Sequence, residues 1–119
     1  MSKVTIPVNR ENVSQIQTFI ENELKTKAYA ASVSDTMKQA AEEIFLAVAN
    51  AGDDYSRMIV DVSISKEGCC IQFLYPGPIF NPCSSDSNLC PFTLREMEEI
   101  SFEFKYGHSV VAIYKKLQP

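Results

Sequence analysis

Residues 41–50, AEEIFLAVAN, and residues 75–82, YPGPIFNP, decide how this chain folds. The first stretch is typical of the centre of an amphipathic helix, and the second is a Gly- and Pro-rich loop that follows a β-hairpin. A separate flank of the helix carries Glu43, Ala47 and Asn50, because positions i, i+4 and i+7 lie above one another. The predicted apolar stripe of the helix consists of Met37, Ala41, Ile44, Phe45 and Val48.

Helical spacing of apolar residues predicts the rest of a helical layer. Ser34 or Asp35 offers an N-cap for the helix that contains residues 41–50, and Gly52 marks its end. A short third helix is predicted over residues 92–100. An earlier, first helix is predicted from the spacing of Val13, Ile16, Phe19, Ile20 and Leu24.

Alternation of apolar and polar residues predicts the strands. Residues 3–8 suit an edge strand, because Pro7 cannot donate to a ladder. Two hairpins are predicted, with strands at 58–65 and 69–75 and at 102–106 and 110–114, the second turning at Gly107-His108. We therefore expect one domain over residues 1–119. Its fold class is an α+β two-layer sandwich, with a mainly antiparallel or mixed sheet and about three helices on one face.

Composition limits the partners of the protein. The net charge of −4 and a pI near 4.9 give no electrostatic reason to expect a nucleic acid or an anionic membrane as partner. The sequence shows no secretory signal pattern and no apolar stretch of about 20 residues that could cross a bilayer. We expect a cytoplasmic protein that binds neither nucleic acid nor membrane.

The cysteines are expected to be free thiols. Cys69 and Cys70 are adjacent in a strand pattern, so they point to opposite faces and are interpreted as small core residues. Cys83 and Cys90 flank a polar loop, with a spacing that fits neither a metal knuckle nor a thioredoxin motif. A disulfide or a metal site at this second pair is the alternative.

The order of helix, hairpin and Gly/Pro-rich loop resembles the histidine-kinase-type ATPase fold, also called the Bergerat or GHKL fold, in its bacterial anti-sigma-factor and serine-protein-kinase branch. The resemblance runs from Val4 to Leu117 in element order. In that family a helix carries a catalytic Glu and, four residues later, an Asn that holds Mg²⁺. Glu43 matches the Glu and is the candidate catalytic residue, whereas Ala47 stands at the Asn position. Asn50 lies one turn further and is a candidate nucleotide contact.

The family's second motif, Asp-x-Gly followed by Phe-Asn/Asp-Pro, contacts adenine. Tyr75 stands where the Asp is expected, and a tyrosine lacks the carboxylate acceptor. The resemblance implies a nucleotide site, weakened by this change, that includes Asn50 and the loop residues Tyr75, Gly77, Ile79, Phe80 and Asn81.

The family's third motif is a Gly-rich turn whose N–H groups hold the phosphates. Residues 84–92 contain no glycine, and Cys90-Pro91 stands where Gly-x-Gly is expected. Pro91 also removes one N–H donor. We therefore expect binding of ATP and Mg²⁺ to be weak or lost.

The resemblance implies a regulatory domain that binds a sigma factor or an anti-anti-sigma protein. One alternative is an active ATP-dependent serine-protein kinase that acts on an anti-anti-sigma factor, with Mg²⁺ held by Asn50 and Asp53 or Asp54. The other is a thiol-based redox or metal sensor that uses Cys83 and Cys90. Family members usually act as dimers, and this sequence permits either a monomer or a homodimer.

Overall fold

Strands and helices follow one another in an order close to the predicted one. The computed structural model describes residues 2–26, 31–52, 55–83 and 95–116. The elements are β1 Ser2–Pro7, a 3₁₀ turn Arg10–Asn12, α1 Val13–Thr26, α2 Ala31–Asn50, β2 Arg57–Ile64, β3 Gly68–Pro76, β4 Glu99–Lys105 and β5 His108–Lys116.

The five strands form one sheet in the order β1-β2-β3-β5-β4, and every neighbouring pair is antiparallel. β1 and β4 are therefore the two edges of the sheet. Pro7 ends the β1 edge, where its missing N–H removes no bond from the interior of the sheet. The predicted edge strand and the predicted antiparallel hairpins are confirmed.

Both helices share one hydrophobic core with one face of the sheet. The predicted stripe of α2 is buried, and so are the alternating residues of the central strands. This arrangement is α+β and consistent with a two-layer sandwich. The strand residues in the core are Ile6, Met58, Val60, Val62, Cys69, Ile71, Phe73, Tyr75, Val111 and Ile113.

The start of α2 differs from the prediction. The helix begins at Ala31, so Ser34 and Asp35 lie inside it and neither caps its N-terminus. Val33 is buried together with Met37, which carries the apolar stripe one turn further towards the N-terminus. Core packing thus overrides the local capping preference of Ser and Asp. The helix ends at Asn50, close to the predicted end.

The predicted third helix is wrong at its C-terminal end. Glu99 and Ile100 belong to β4, and the N–H of Glu98 donates to the carbonyl of Tyr114 at 2.9 Å. Residues 92–94 lie outside the described residues. The apolar spacing of this segment fits a helix, but Glu98, Glu99 and Ile100 pair with β5 instead. Within the described ranges there are two α-helices where about three were expected.

The last hairpin turns one residue earlier than predicted. Tyr106 and Gly107 both have positive φ, 54° and 75°, which is the backbone of a two-residue type I′ turn. His108 is therefore the first residue of β5 and not a turn residue, with its Nδ1 2.9 Å from the carbonyl oxygen of Tyr106.

Within the described ranges, no helix is both long enough and apolar enough to cross a membrane.

Candidate functional site

The flank of α2 that carries the predicted site runs from the protein interior to its surface. Glu43 is half-buried, and its Oε2 atom is shielded from solvent. Ala47 is also half-buried and packs against the core. Asn50 is the last residue of the helix and is exposed. The methyl group of Ala47 contributes no ligand atom between the two polar residues.

Tyr75 lies at the end of β3 and is fully buried. Its hydroxyl donates a hydrogen bond to the carbonyl of Phe80, five residues later. Its ring packs edge-on against the ring of Tyr55, with centroids 5.7 Å apart and planes at 80°. Tyr55 also contacts Phe80, at 6.1 Å between centroids. We refer to Tyr55, Tyr75 and Phe80 as the aromatic cluster.

The loop that follows β3 is hydrogen-bonded to Tyr55 and to Ser109. The hydroxyl of Tyr55 donates to the carbonyl of Pro78 at 3.0 Å. The N–H of Phe80 donates to Oγ of the buried Ser109 in β5, at 3.3 Å. These bonds hold the loop against the end of the sheet and complement the bond from Tyr75.

Gly77 joins the loop to the turn between β4 and β5. Its φ of 134° lies in a region that L side chains rarely adopt, and its N–H donates to the carbonyl of Gly107 at 3.2 Å. Close to this bond, Ile79 is 64% exposed and Tyr106 is 92% exposed. The junction therefore presents two large apolar side chains to solvent.

Asn81 ends the loop with a local turn. Its Oδ1 accepts a hydrogen bond from the N–H of Cys83 at 3.0 Å, which is the geometry of an Asx turn. The predicted loop residues Tyr75, Gly77, Ile79, Phe80 and Asn81 thus lie in one short, internally bonded segment.

Burial also determines the protonation of the groups around the loop. It raises the pKa of the Tyr75 hydroxyl above its ordinary value, with smaller contributions from Cys83 and Tyr55, so this hydroxyl stays a neutral donor. Burial raises the pKa of the Cys83 thiol to about 11 and, with Cys70 beside it, that of Cys69 to about 12. A protonated thiol is a poor nucleophile and a poor metal ligand.

The cysteines of the described ranges are free thiols, at Cys69, Cys70 and Cys83. Cys69 is a core residue as predicted, whereas Cys70 is only half-buried on the opposite face. Cys90 lies outside the described residues, so the predicted Cys83 and Cys90 pair stays a prediction. Among the residues that the structure describes, no three His, Cys, Asp or Glu side chains come together as a metal site.

A cleft of about 430 Å³ opens beside the C-terminal end of α2. Its volume is in the range of small-molecule pockets, which is about 300 to 1,000 Å³. Tyr55 belongs both to this cleft and to the aromatic cluster. Asn50 is not among the lining residues, although Ala49 is. The lining residues are Val8, Asn9, Arg10, Glu11, Ala49, Gly52 and Tyr55.

Tyr55 and Ser109 are the two structural contacts of the loop that the sequence did not indicate. Tyr55 lies just before β2, outside any periodic pattern, and Ser109 is a polar residue on the buried face of β5, which also carries Lys115. A buried polar side chain usually has a hydrogen-bond partner. The position of Ser109 in the alternating pattern of β5 is therefore the one signal that could have indicated its role.

Comparison with known proteins adds no family assignment. The sequence matches no protein-family model, and no curated protein matches it significantly.

Proposed function

We propose that this chain is a regulatory domain with the histidine-kinase-type ATPase fold that binds a protein partner and has lost efficient ATP binding. The observation that carries the proposal is the complete burial of Tyr75 at the position where the resembled family has its adenine-binding Asp. The partner implied by the resemblance is a sigma factor or an anti-anti-sigma protein.

The aromatic cluster argues against adenine recognition. In the resembled family, a carboxylate accepts a hydrogen bond from the exocyclic amine of adenine. Tyr75 has no carboxylate, and its hydroxyl donates within its own loop to Phe80. Its ring lies against Tyr55, in the core. A nucleotide that used this position would have to displace a buried side chain.

The described residues of α2 also do not fit the Mg²⁺ ion that the resembled family uses, and Asp53 and Asp54, the other predicted ligands, lie outside the described residues. Mg²⁺ requires closely placed oxygen ligands in near-octahedral geometry. Ala47 offers none, and Asn50 is three residues further along α2, a rise of about 4.5 Å. No step of phosphoryl transfer is therefore assigned to Glu43, and its shielded carboxylate oxygen is interpreted as part of the packed helix flank.

The loop itself supports a role in protein binding. Four hydrogen bonds, from Tyr55, Tyr75, Gly77 and Phe80, hold it in place. A loop that is fixed before binding loses little conformational entropy when a partner docks. Ile79 and Tyr106 project from it and from the adjacent turn, and exposed aromatic and aliphatic side chains of this kind are typical anchors at protein interfaces.

The proposal is tested by titrating the full chain with the sigma factors and anti-anti-sigma proteins encoded in the same genome. The titrations are run without nucleotide and with millimolar Mg-ATP. We expect one of these proteins to bind with the same affinity in both conditions. The substitution Ile79→Asp should weaken that binding about tenfold or more, because it places a charge in an apolar contact.

The control for this experiment is Thr5→Asp, which adds the same charge on the exposed β1 edge at the other side of the sheet. It should leave the affinity unchanged. Binding that requires ATP, or transfer of labelled phosphate to a serine of an anti-anti-sigma protein, would favour the active kinase instead. Binding to none of these proteins would contradict the proposed partner class.

A further inference from the structure

We propose that two copies of this chain pair edge to edge through β4, antiparallel, around a two-fold axis at Phe102. The two five-stranded sheets would then form one continuous sheet. The proposal uses only the geometry and sequence of the last hairpin, so it does not depend on the proposed partner or on nucleotide binding.

β4 has a free edge. It is the last strand in the order of the sheet, with β5 on one side and no described strand on the other. The turn at Tyr106 and Gly107 has two residues, so the flanking residues Lys105 and His108 exchange hydrogen bonds with each other. Hydrogen-bonded and non-hydrogen-bonded pairs alternate along an antiparallel ladder. The N–H and C=O groups of Phe104, Phe102 and Ile100 therefore point away from β5, towards the free edge.

The same three residues form an apolar row on the core-side face of β4. Ile100 is 36% exposed and Phe104 is 40% exposed, while Phe102 is partly buried against the core. In an antiparallel pair centred on Phe102, Ile100 of one copy lies opposite Phe104 of the other. The two Phe102 residues face each other across the axis. Cross-strand pairs of aromatic and β-branched residues stabilise a sheet.

The polar face of β4 is complementary to itself in this register. Glu99 of one copy lies opposite Lys105 of the other, and the two-fold axis repeats the pair. Ser101 lies opposite Glu103. Glu99 is exposed, and the side chain of Lys105 is 62% exposed, so both are available to a second copy.

Other registers lack this complementarity. A shift of two residues in one direction places Glu103 opposite Glu103 of the second copy, and the same shift in the other direction places Glu99 opposite Glu103. Like charges directly opposite each other destabilise a strand pair. A shift of one residue turns the apolar row of one copy to the other face. The charges of β4 therefore favour the register centred on Phe102.

The test is sedimentation velocity of the full chain over a range of concentrations, with two charge-reversal variants. We expect the unmodified chain to form a dimer. Glu99→Lys and Lys105→Glu should each weaken the dimer about tenfold or more, because each replaces both symmetric attractions by repulsions. An equimolar mixture of the two variants should dimerise again, because each Lys pair then faces a Glu pair.

Recovery of the dimer in the mixture distinguishes pairing between two chains from an effect of each substitution within its own chain. Lys105 also lies 3.8 Å from Glu103 of its own chain, and mixing cannot restore that contact. The control is Lys3→Glu on the β1 edge, which should leave the dimer unchanged. An unmodified chain that stays monomeric at every concentration overturns the proposal. A dimer that Lys3→Glu dissociates, or variants that do not recover on mixing, overturn it as well.

Discussion

The hydroxyl of Tyr75 donates a hydrogen bond to the backbone carbonyl of Phe80 and so closes the loop that follows β3 onto the strand it leaves. The same tyrosine fills the core against Tyr55. The resembled family has its adenine-binding Asp at this position, and we propose that Tyr75 both stabilises the loop and removes the carboxylate that adenine would need.

Removal of this hydroxyl should destabilise the protein without creating a nucleotide site. Tyr75→Phe leaves the partly buried carbonyl of Phe80 without its donor, and we expect a loss of about 1 to 2 kcal/mol in the free energy of unfolding. Urea denaturation measures this loss of stability. The matched control, Tyr55→Phe, removes the bond to Pro78 and should cost about 1 kcal/mol or less, since Pro78 is exposed. A Tyr75→Phe variant as stable as the unmodified chain would contradict the role of the bond.

Gly68 should tolerate no side chain. A Cβ at this position would lie 2.6 Å from the carbonyl oxygen of Lys115 and 2.6 Å from the hydroxyl of Tyr114. We expect Gly68→Ala to cost about 1 to 3 kcal/mol, because β3 and β5 would have to separate. Thermal and urea unfolding measure the cost. Gly107→Ala is the comparison: nothing lies within 4 Å there, and only its φ of 75° opposes the substitution, at about 1 kcal/mol.

Substitution of Tyr106 should change the stability of the fold and the affinity for the partner in opposite directions. Its φ of 54° is unfavourable for a tyrosine and suits asparagine in a type I′ turn. Tyr106→Asn should therefore stabilise the fold by about 1 kcal/mol and weaken partner binding, since the exposed ring is lost. Tyr106→Phe keeps both the ring and the strain, so neither quantity should change much. Equal partner binding by Tyr106→Asn would remove this residue from the interface.

The buried thiol of Cys69 and the half-buried thiol of Cys83 should make the protein less stable in alkali. The pKa of Cys83 is raised from 9.0 to about 11 and that of Cys69 to about 12. Below pH 9.0 both thiols are protonated in the folded and unfolded chains, and the stabilisation is present in full. As pH rises towards 11, the unfolded chain loses these protons first, so the free energy of unfolding falls. Urea midpoints measured against pH check this.

The control for the alkaline effect is Cys83→Ser, which should flatten part of that slope. The same raised pKa predicts slow alkylation of Cys83 at neutral pH. Rapid labelling of Cys83 there would contradict its raised pKa and would favour the redox-sensor alternative.

Much of the fold could be predicted from periodicity. The alternation in β2 and β3 is strong because one face of these strands is buried and the other is not, and Met58, Val60, Ile71 and Phe73 are all in the core. The boundary of β4 could not be predicted in this way. Met97 and Ile100 satisfy a helical spacing, and only the pairing with β5 decides against it.

The position of the loop after β3 could be predicted from the sequence, but its contacts could not. The loop could be located from its glycine and prolines, and Tyr75 from the strand pattern. The contact between Tyr75 and Tyr55 joins residues 20 positions apart through packing alone, which no local pattern encodes. The sequence could therefore locate Tyr75 at the end of β3, whereas only the structure gives its contacts.

Calorimetric titration of the unmodified chain with ATP and with ADP, each with and without Mg²⁺, tests the central claim most directly. We predict no measurable heat and no thermal shift at millimolar nucleotide, which corresponds to binding weaker than about −4 kcal/mol. Micromolar binding, about −8 kcal/mol, would mean that a nucleotide pocket exists despite Tyr75 and Ala47, and would contradict the account.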